Sequence, residues 1–219
     1  MTVEILVIAK PDLVIRRGAG ARMLKAFLEL TSGRILCSSE LTIPARIAEA
    51  HYAHLEEKGF YRWLLSYISC YKSFVFILRT AQPITRIREE LGGTIVETDS
   101  QTSLRYRFGL ADGMNGLHIS ESEETARKEI ENWMRFGIIK RKAMKSDLHS
   151  YIEKYLRAPD NTKRIHDLLS RKGRNSLFST LPAYSHTLFD LIQEEAIDVS
   201  LETVKHFYDL ILEGISLHS

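Results

Sequence analysis

The chain has 219 residues, 44% of them hydrophobic and 26% charged, with a formal net charge of +2. This is the composition of a globular protein with a sizeable core, and no apolar run approaches the roughly 18–20 residues that a bilayer span needs. The opening MTVEILVIAKPD has Glu4 where a secretory leader would be basic, and Cys37 and Cys70 stand apart without metal-ligand spacing, so a cytoplasmic, reducing setting is expected.

VEILVIA (3–9) is a short β-branched, apolar run and reads as a buried strand that KPD breaks. GAGARMLKAFLEL then places Met23, Leu24, Phe27 and Leu28 on one helical face. GRILCSSEL (33–41) is a second strand. IPARIAEAHYAHLEEKG (43–59) is a helix with Pro44 in its first turn and Gly59 past its end. FYRWLLSYIS (60–69) is a short helix and SFVFILR (73–79) a third strand. PITRIREELGG (83–93) is a helix running from a proline to glycines. SLRYRFGL (103–110) is read as the fourth strand. SEETARKEIENWM (122–134) is a helix, with Ser122 as its N-cap and acidic residues in its first turn. The order is that of an α+β fold: a ferredoxin-like split βαβ antiparallel sheet with covering helices.

Charge divides the chain near residue 135. Residues 1–134 balance to zero, residues 135–174 carry 12 basic against 4 acidic side chains, and residues 175–219 carry 1 against 7. The domains expected are therefore 1–134 and an all-helical C-terminal extension, 135–219, with helices near 138–157, 161–172, 184–196 and 200–213. The last has Ser200 to cap it, Gly214 to end it, and a stripe of Leu201, Val204, Phe207, Tyr208 and Ile211 that reads as core contact. The basic stretches KRKAMK and RKGR are expected to face the acidic helices rather than nucleic acid, and the extension is expected to dock on its own chain or on a symmetry mate. His51 and His54 read as helix-surface residues. The histidines of the extension lack ligand spacing.

AKPD after the first strand, HYAHLEEKGF, RIREELGGT, LRYRF and NGLHISES, in this order, resemble the nucleoside diphosphate kinase family. The resemblance covers roughly residues 3–134. It implies the ferredoxin-like fold and a ping-pong transfer of the γ-phosphate of a nucleoside triphosphate to a nucleoside diphosphate through a phosphohistidine. By resemblance, His118 is the phosphorylated histidine, and Lys10, Tyr52 and Glu129 complete the catalytic set. Lys10, Phe60, Arg88, Thr94, Arg105 and Asn115 would bind nucleotide: Lys10 and Asn115 at ribose and phosphate, Phe60 by stacking on the base. Mg²⁺ would be held mainly by the nucleotide phosphates, with no protein metal ligand. The types suit the chemistry. Arginines and a lysine stabilise charge spread over a phosphoryl group in flight, and a carboxylate on one ring nitrogen of His118 would fix its tautomer.

The sequence also departs from the family pattern. Ile119 follows His118 where glycine is usual, Glu121 replaces an aspartate, and Asp112 stands at a position that is often apolar against the base. TIVETDSQTS (94–103) lacks the prolines and glycine that shape a loop making hexamer contacts in the family. A homo-oligomer is expected, a dimer as readily as a hexamer. The alternative function is a catalytically weak or inactive nucleotide-binding module on the same fold.

Overall fold

The computed structural model describes residues 2–139, 147–170 and 182–217. Four strands form one antiparallel sheet among these residues: β1 (Val3–Ala9), β2 (Arg34–Thr42), β3 (Lys72–Thr80) and β4 (Leu117–Ile119), in the order β2-β3-β1-β4. The pairs β2/β3, β1/β3 and β1/β4 are all antiparallel, which is the expected split βαβ arrangement. β1 is apolar and buried from Ile5 to Ala9 because helices cover both of its faces there. Its even residues, Leu6 and Ile8, lie in one core with Val75 and Ile77. Its odd residues, Ile5 and Val7, lie in a second with Phe74, Phe76 and Leu78.

Helices α1 (Pro11–Ile15), α2 (Arg17–Thr31) and α5 (Ile84–Leu91) supply the odd-face core, while α3 (Ala45–Tyr52), α4 (Tyr61–Ser69) and α7 (Glu123–Arg135) supply the even-face core. The helix read over 43–59 ends at Tyr52 and tightens into a 3₁₀ turn, Ala53–Leu55. Ser122 caps α7 as expected, accepting from the Thr125 amide at 3.1 Å.

The strand expected over 103–110 is instead a short helix, α6 (Leu104–Phe108), and the fourth strand is the three-residue β4. Leu104 and Phe108 are both buried, and in five residues an i, i+4 pair is hard to tell from alternation. Capping decides it: the Ser103 hydroxyl accepts from the Tyr106 amide and donates to Asp99, whose carboxylate also accepts from the Gly93 amide. This network shapes the segment that lacks prolines.

The extension contributes α8 (Asp147–Tyr155), α9 (Thr162–Ser170), α10 (Pro182–Glu195) and α11 (Leu201–Leu217), and it is docked on the chain's own N-terminal part. Tyr151 of α8 donates to the carbonyl of Leu13, and His166 of α9 to that of Gly109. The Trp63 indole donates to the carbonyl of Leu210 at 2.8 Å. The stripe of α11 is core as expected for Val204, Phe207, Tyr208 and Ile211, whereas Leu201 is exposed. Gly214 does not end α11. It lies inside the helix, where a Cβ would stand 2.6 Å from the Trp63 ring, so its role is close approach. KRKAMK and RKGR fall outside the described residues, and with them the expectation that they face the acidic helices. No described helix is long and apolar enough to cross a membrane.

Candidate active site

Register places the central histidine. In β4, His118 pairs with Ile8 and Ile119 with Val7, so His118 faces α3, α4 and α7 while Ile119 enters the odd-face core, 2% exposed. Ile119 takes the place of the usual glycine without backbone strain, because it is an ordinary strand residue without positive φ. Positive φ is carried two residues upstream of His118, by Gly116 (+82°), where a Cβ would meet the sulfur of Met23 at 2.6 Å.

His118 Nε2 lies 3.1 Å from Glu129 Oε1, and the Ser120 hydroxyl donates to Glu129 Oε2. Glu129 sits two turns into α7, and its carboxylate returns to the sheet rather than pairing with a base on its own helix. Burial works to raise its pKa, but its interactions with His118 first, and with His51 and Ser120 after it, outweigh burial and hold it below the usual carboxylate value. The Tyr52 ring stands 6.4 Å from that of His118, edge to face, and burial pushes its hydroxyl well above the usual phenol pKa. The phenol therefore stays protonated.

Beside this lies a group of cations. Lys10 follows β1 directly, and its amide donates to the carbonyl of Gly116. Its ammonium donates to the Gly113 carbonyl (2.7 Å) and to Asn115 Oδ1 (2.6 Å), and lies 5.5 Å above the Tyr67 ring. Burial pulls its pKa down to about 7; nearby Asp12 opposes this and Arg105 adds to it. Asn115 in turn donates to the carbonyl of Thr94. Arg105, on α6, is 9% exposed and donates to the carbonyls of Gly92 and Leu117, while its Nε has no partner. Burial and the charge of Arg88 lower its pKa to about 10. Arg88 and Arg105 line one pocket with Gly92, Gly93 and Asp99, and Arg88 also stands 3.7 Å from Glu121. A buried Arg105 and a partly exposed Arg88 that repel each other at a pocket wall are poised for an anion.

The structure thus brings together His118, Glu129 and Tyr52 on one side and Lys10, Asn115, Arg105 and Arg88 on the other. Thr94 contributes its carbonyl, and its side chain is exposed. Phe60 precedes α4 and is half-buried against the core that includes Tyr52 and Trp63. Sequence reasoning missed Ser120, which alternation places on the face of His118. It also missed Asp12, fully buried and accepting from the Tyr67 hydroxyl at 2.6 Å. His51 was expected on the surface. Its side chain is 5% exposed, and its ring lies 4.6 Å from that of His118.

Residues 4–139 match the model of the family described as nucleoside diphosphate kinase. The chain is similar to the nucleoside diphosphate kinase of Staphylococcus saprophyticus, 32% identical over 129 residues, which are 58% of this chain and 83% of that one. It is similar to that of Methanosphaera stadtmanae, 31% identical over 121 residues, 55% of this chain and 78% of the relative. Among solved structures, the Aquifex aeolicus nucleoside diphosphate kinase superposes with a TM-score of 0.55 at 27% identity, over 60% of this chain and 94% of that one. A halophilic nucleoside diphosphate kinase from Halobacterium salinarum, in complex with CDP, shares the fold with a TM-score of 0.57 at 23% identity, over 69% and 99% of the two chains.

Proposed function

The chain belongs to the nucleoside diphosphate kinase family, a phosphotransferase family, and from that premise we propose that His118 is the group that carries the phosphate. The observation that supports this most directly is the contact between His118 Nε2 and Glu129 Oε1 at 3.1 Å. A carboxylate only accepts, so Nε2 carries the proton and Nδ1 keeps the lone pair. In the first half-reaction, Nδ1 attacks the γ-phosphorus of a nucleoside triphosphate. An N–P bond forms, the bond to the β,γ-bridging oxygen breaks, and the nucleoside diphosphate leaves with that electron pair. Glu129 balances the positive charge that develops on the ring. A second nucleoside diphosphate then attacks the phosphorus and restores His118.

Lys10, Arg88 and Arg105 receive the phosphates in this reading, and Asn115, tied to Lys10 and to the Thr94 carbonyl, meets the ribose. Lys10 also holds charge against the phosphoryl group in flight. Tyr52 packs the wall beside His118, and Phe60 offers a ring to the base. Mg²⁺ fits as a companion of the nucleotide phosphates: the pocket is lined by Arg88 and Arg105 as well as Glu89 and Asp99, Asp99 is already engaged by the Gly93 amide and the Ser103 hydroxyl, and Glu121 is paired with Arg88. When bound, it would reduce the repulsion that the phosphates present to the nucleophile. We take 1–134 as the catalytic domain and 135–219 as its docked extension, in a cytoplasmic homo-oligomer. The inactive-module reading rested on the altered loops and the helical extension; Ile119, one of the altered residues, adopts an ordinary strand conformation that lends it no support.

Incubation with γ-labelled ATP and Mg²⁺ is expected to give an acid-labile, alkali-stable phosphoprotein, and His118→Ala to abolish the label. Absence of label on the wild-type chain would overturn the assignment.

A further inference from the structure

One buried histidine beside the site has no part in the mechanism above. The side chain of His51, on α3, is 5% exposed, and its ring contacts three aromatic groups edge to face: His118 (4.6 Å between centroids), Tyr52 (4.7 Å) and Trp133 (5.7 Å). The indole Nε1 of Trp133 points at His51 Nδ1, 3.3 Å away. An indole nitrogen only donates, so Nδ1 must present its lone pair. Burial first, and the nearby His118 second, drive the His51 pKa down to about 3, so the ring is neutral at working pH. A neutral imidazole whose Nδ1 accepts has its one proton on Nε2. That Nε2–H is buried, has no hydrogen-bond partner, and lies 4.0 Å from Glu129 Oε1, the same oxygen that His118 contacts.

Leaving a buried donor unpaired is costly, so its direction matters. We propose that His51 is a positioning residue for phosphoryl transfer, held in its Nε2–H tautomer by Trp133 so that it supplies Glu129 Oε1 with a further uncharged donor, beside His118 and in addition to Ser120 on Oε2, and fixes the plane of the His118 ring. The inference rests on the assignment of His118 as phosphate carrier. A charged donor at this place would oppose the cationic ring of the phosphorylated His118; a neutral one helps to anchor the carboxylate without that penalty. A shift of roughly 1 Å brings the 4.0 Å approach to hydrogen-bond length. The nitrogen and carboxylate atoms of His51, His118 and Glu129 also lie within 4.8 Å of one another, the spacing of a metal cluster. A cation there would need the lone pair of His51 Nε2, and the Trp133 bond leaves that nitrogen protonated.

The test measures the single-turnover rate of His118 phosphorylation and nucleotide affinity together. His51→Phe is expected to slow phosphorylation about tenfold, the size of one net hydrogen bond, with affinity unchanged. His51→Gln, which returns an N–H, is expected to recover most of the rate. Trp133→Phe frees the tautomer and is expected to slow the reaction too, but not further when His51 is already Phe. Wild-type rates in His51→Phe, or a Gln variant as slow as Phe, would overturn the proposal. ¹⁵N spectra of the wild-type histidines give a reading that needs no variant to fold: His51 is expected as Nε2–H, and an Nδ1–H tautomer refutes the argument. A wild-type chain that takes no label would instead sink the His118 assignment, leaving the tautomer measurable on its own.

Discussion

Glu195→Gln is expected to be among the most destabilising single changes of one polar residue in this chain. Arg16 links α1 to α2 and is fully buried, as is Glu195 at the end of α10. Arg16 Nε donates to Glu195 Oε2 at 2.5 Å. Its other nitrogens donate to the Phe108 carbonyl (3.0 Å) and the Thr162 hydroxyl (2.6 Å), while Glu195 also accepts from the Asn161 amide. The guanidinium is protonated more firmly than an ordinary arginine: burial opposes its charge, and the attraction of Glu195 outweighs burial. Glutamine preserves the volume and removes the charge that pairs with Arg16, leaving the buried guanidinium only the more weakly coupled Asp160 and Asp12, at a cost of about 3–5 kcal/mol. For a chain of this size that is a fall of roughly 6–20 °C in Tm. Urea unfolding is the assay, read from the midpoint at constant m. Replacing both partners, Arg16→Met with Glu195→Met, is expected to recover most of the loss, because no charge is then left unpaired. The bond spans the two parts of the chain, so both are expected to unfold in one transition. A loss below about 1 kcal/mol in Glu195→Gln, or a double variant weaker than the single, would refute this account.

Two further outcomes follow from the site. Lys10 titrates near pH 7 without ligand, so above that pH it is largely neutral, and phosphates that favour its charged form must draw in a proton. Nucleoside diphosphate affinity is therefore expected to fall as pH rises from 7 to 9. Calorimetry at pH 8 in buffers of different ionisation enthalpy should show close to one proton taken up, and Lys10→Met should abolish that uptake. An equal uptake in the variant would exclude Lys10 as its source. Ile119→Gly, which restores the residue usual in the family, is expected to cost about 3–5 kcal/mol, because it empties a packed position in the odd-face core and loosens a strand. It should not speed phosphorylation; a faster or equally stable variant would show that Ile119 constrains the site.

Much of this molecule could be read along one dimension. β1, β2 and β3 follow from their β-branched runs and breakers, and α7 from Ser122 and its acidic first turn, because those signals act between near neighbours in the chain. The motif residues His118, Glu129, Lys10, Arg105 and Asn115 were identifiable by type and order. What could not be read was decided by contacts between distant segments. β4 is three residues long, too short for periodicity, and exists because it pairs with β1 more than a hundred positions away. α6 looked like a strand until capping by Ser103 and Asp99 was visible. His51 stands between Ala50 and Tyr52 near the end of a helix, and the packing of Trp133 from α7 makes it an interior residue. Arg16 and Glu195 are ordinary charges until folding removes both from water and pairs them. Local pattern is written in covalent order, whereas burial and pairing depend on which surfaces meet, and those meet only in the folded chain.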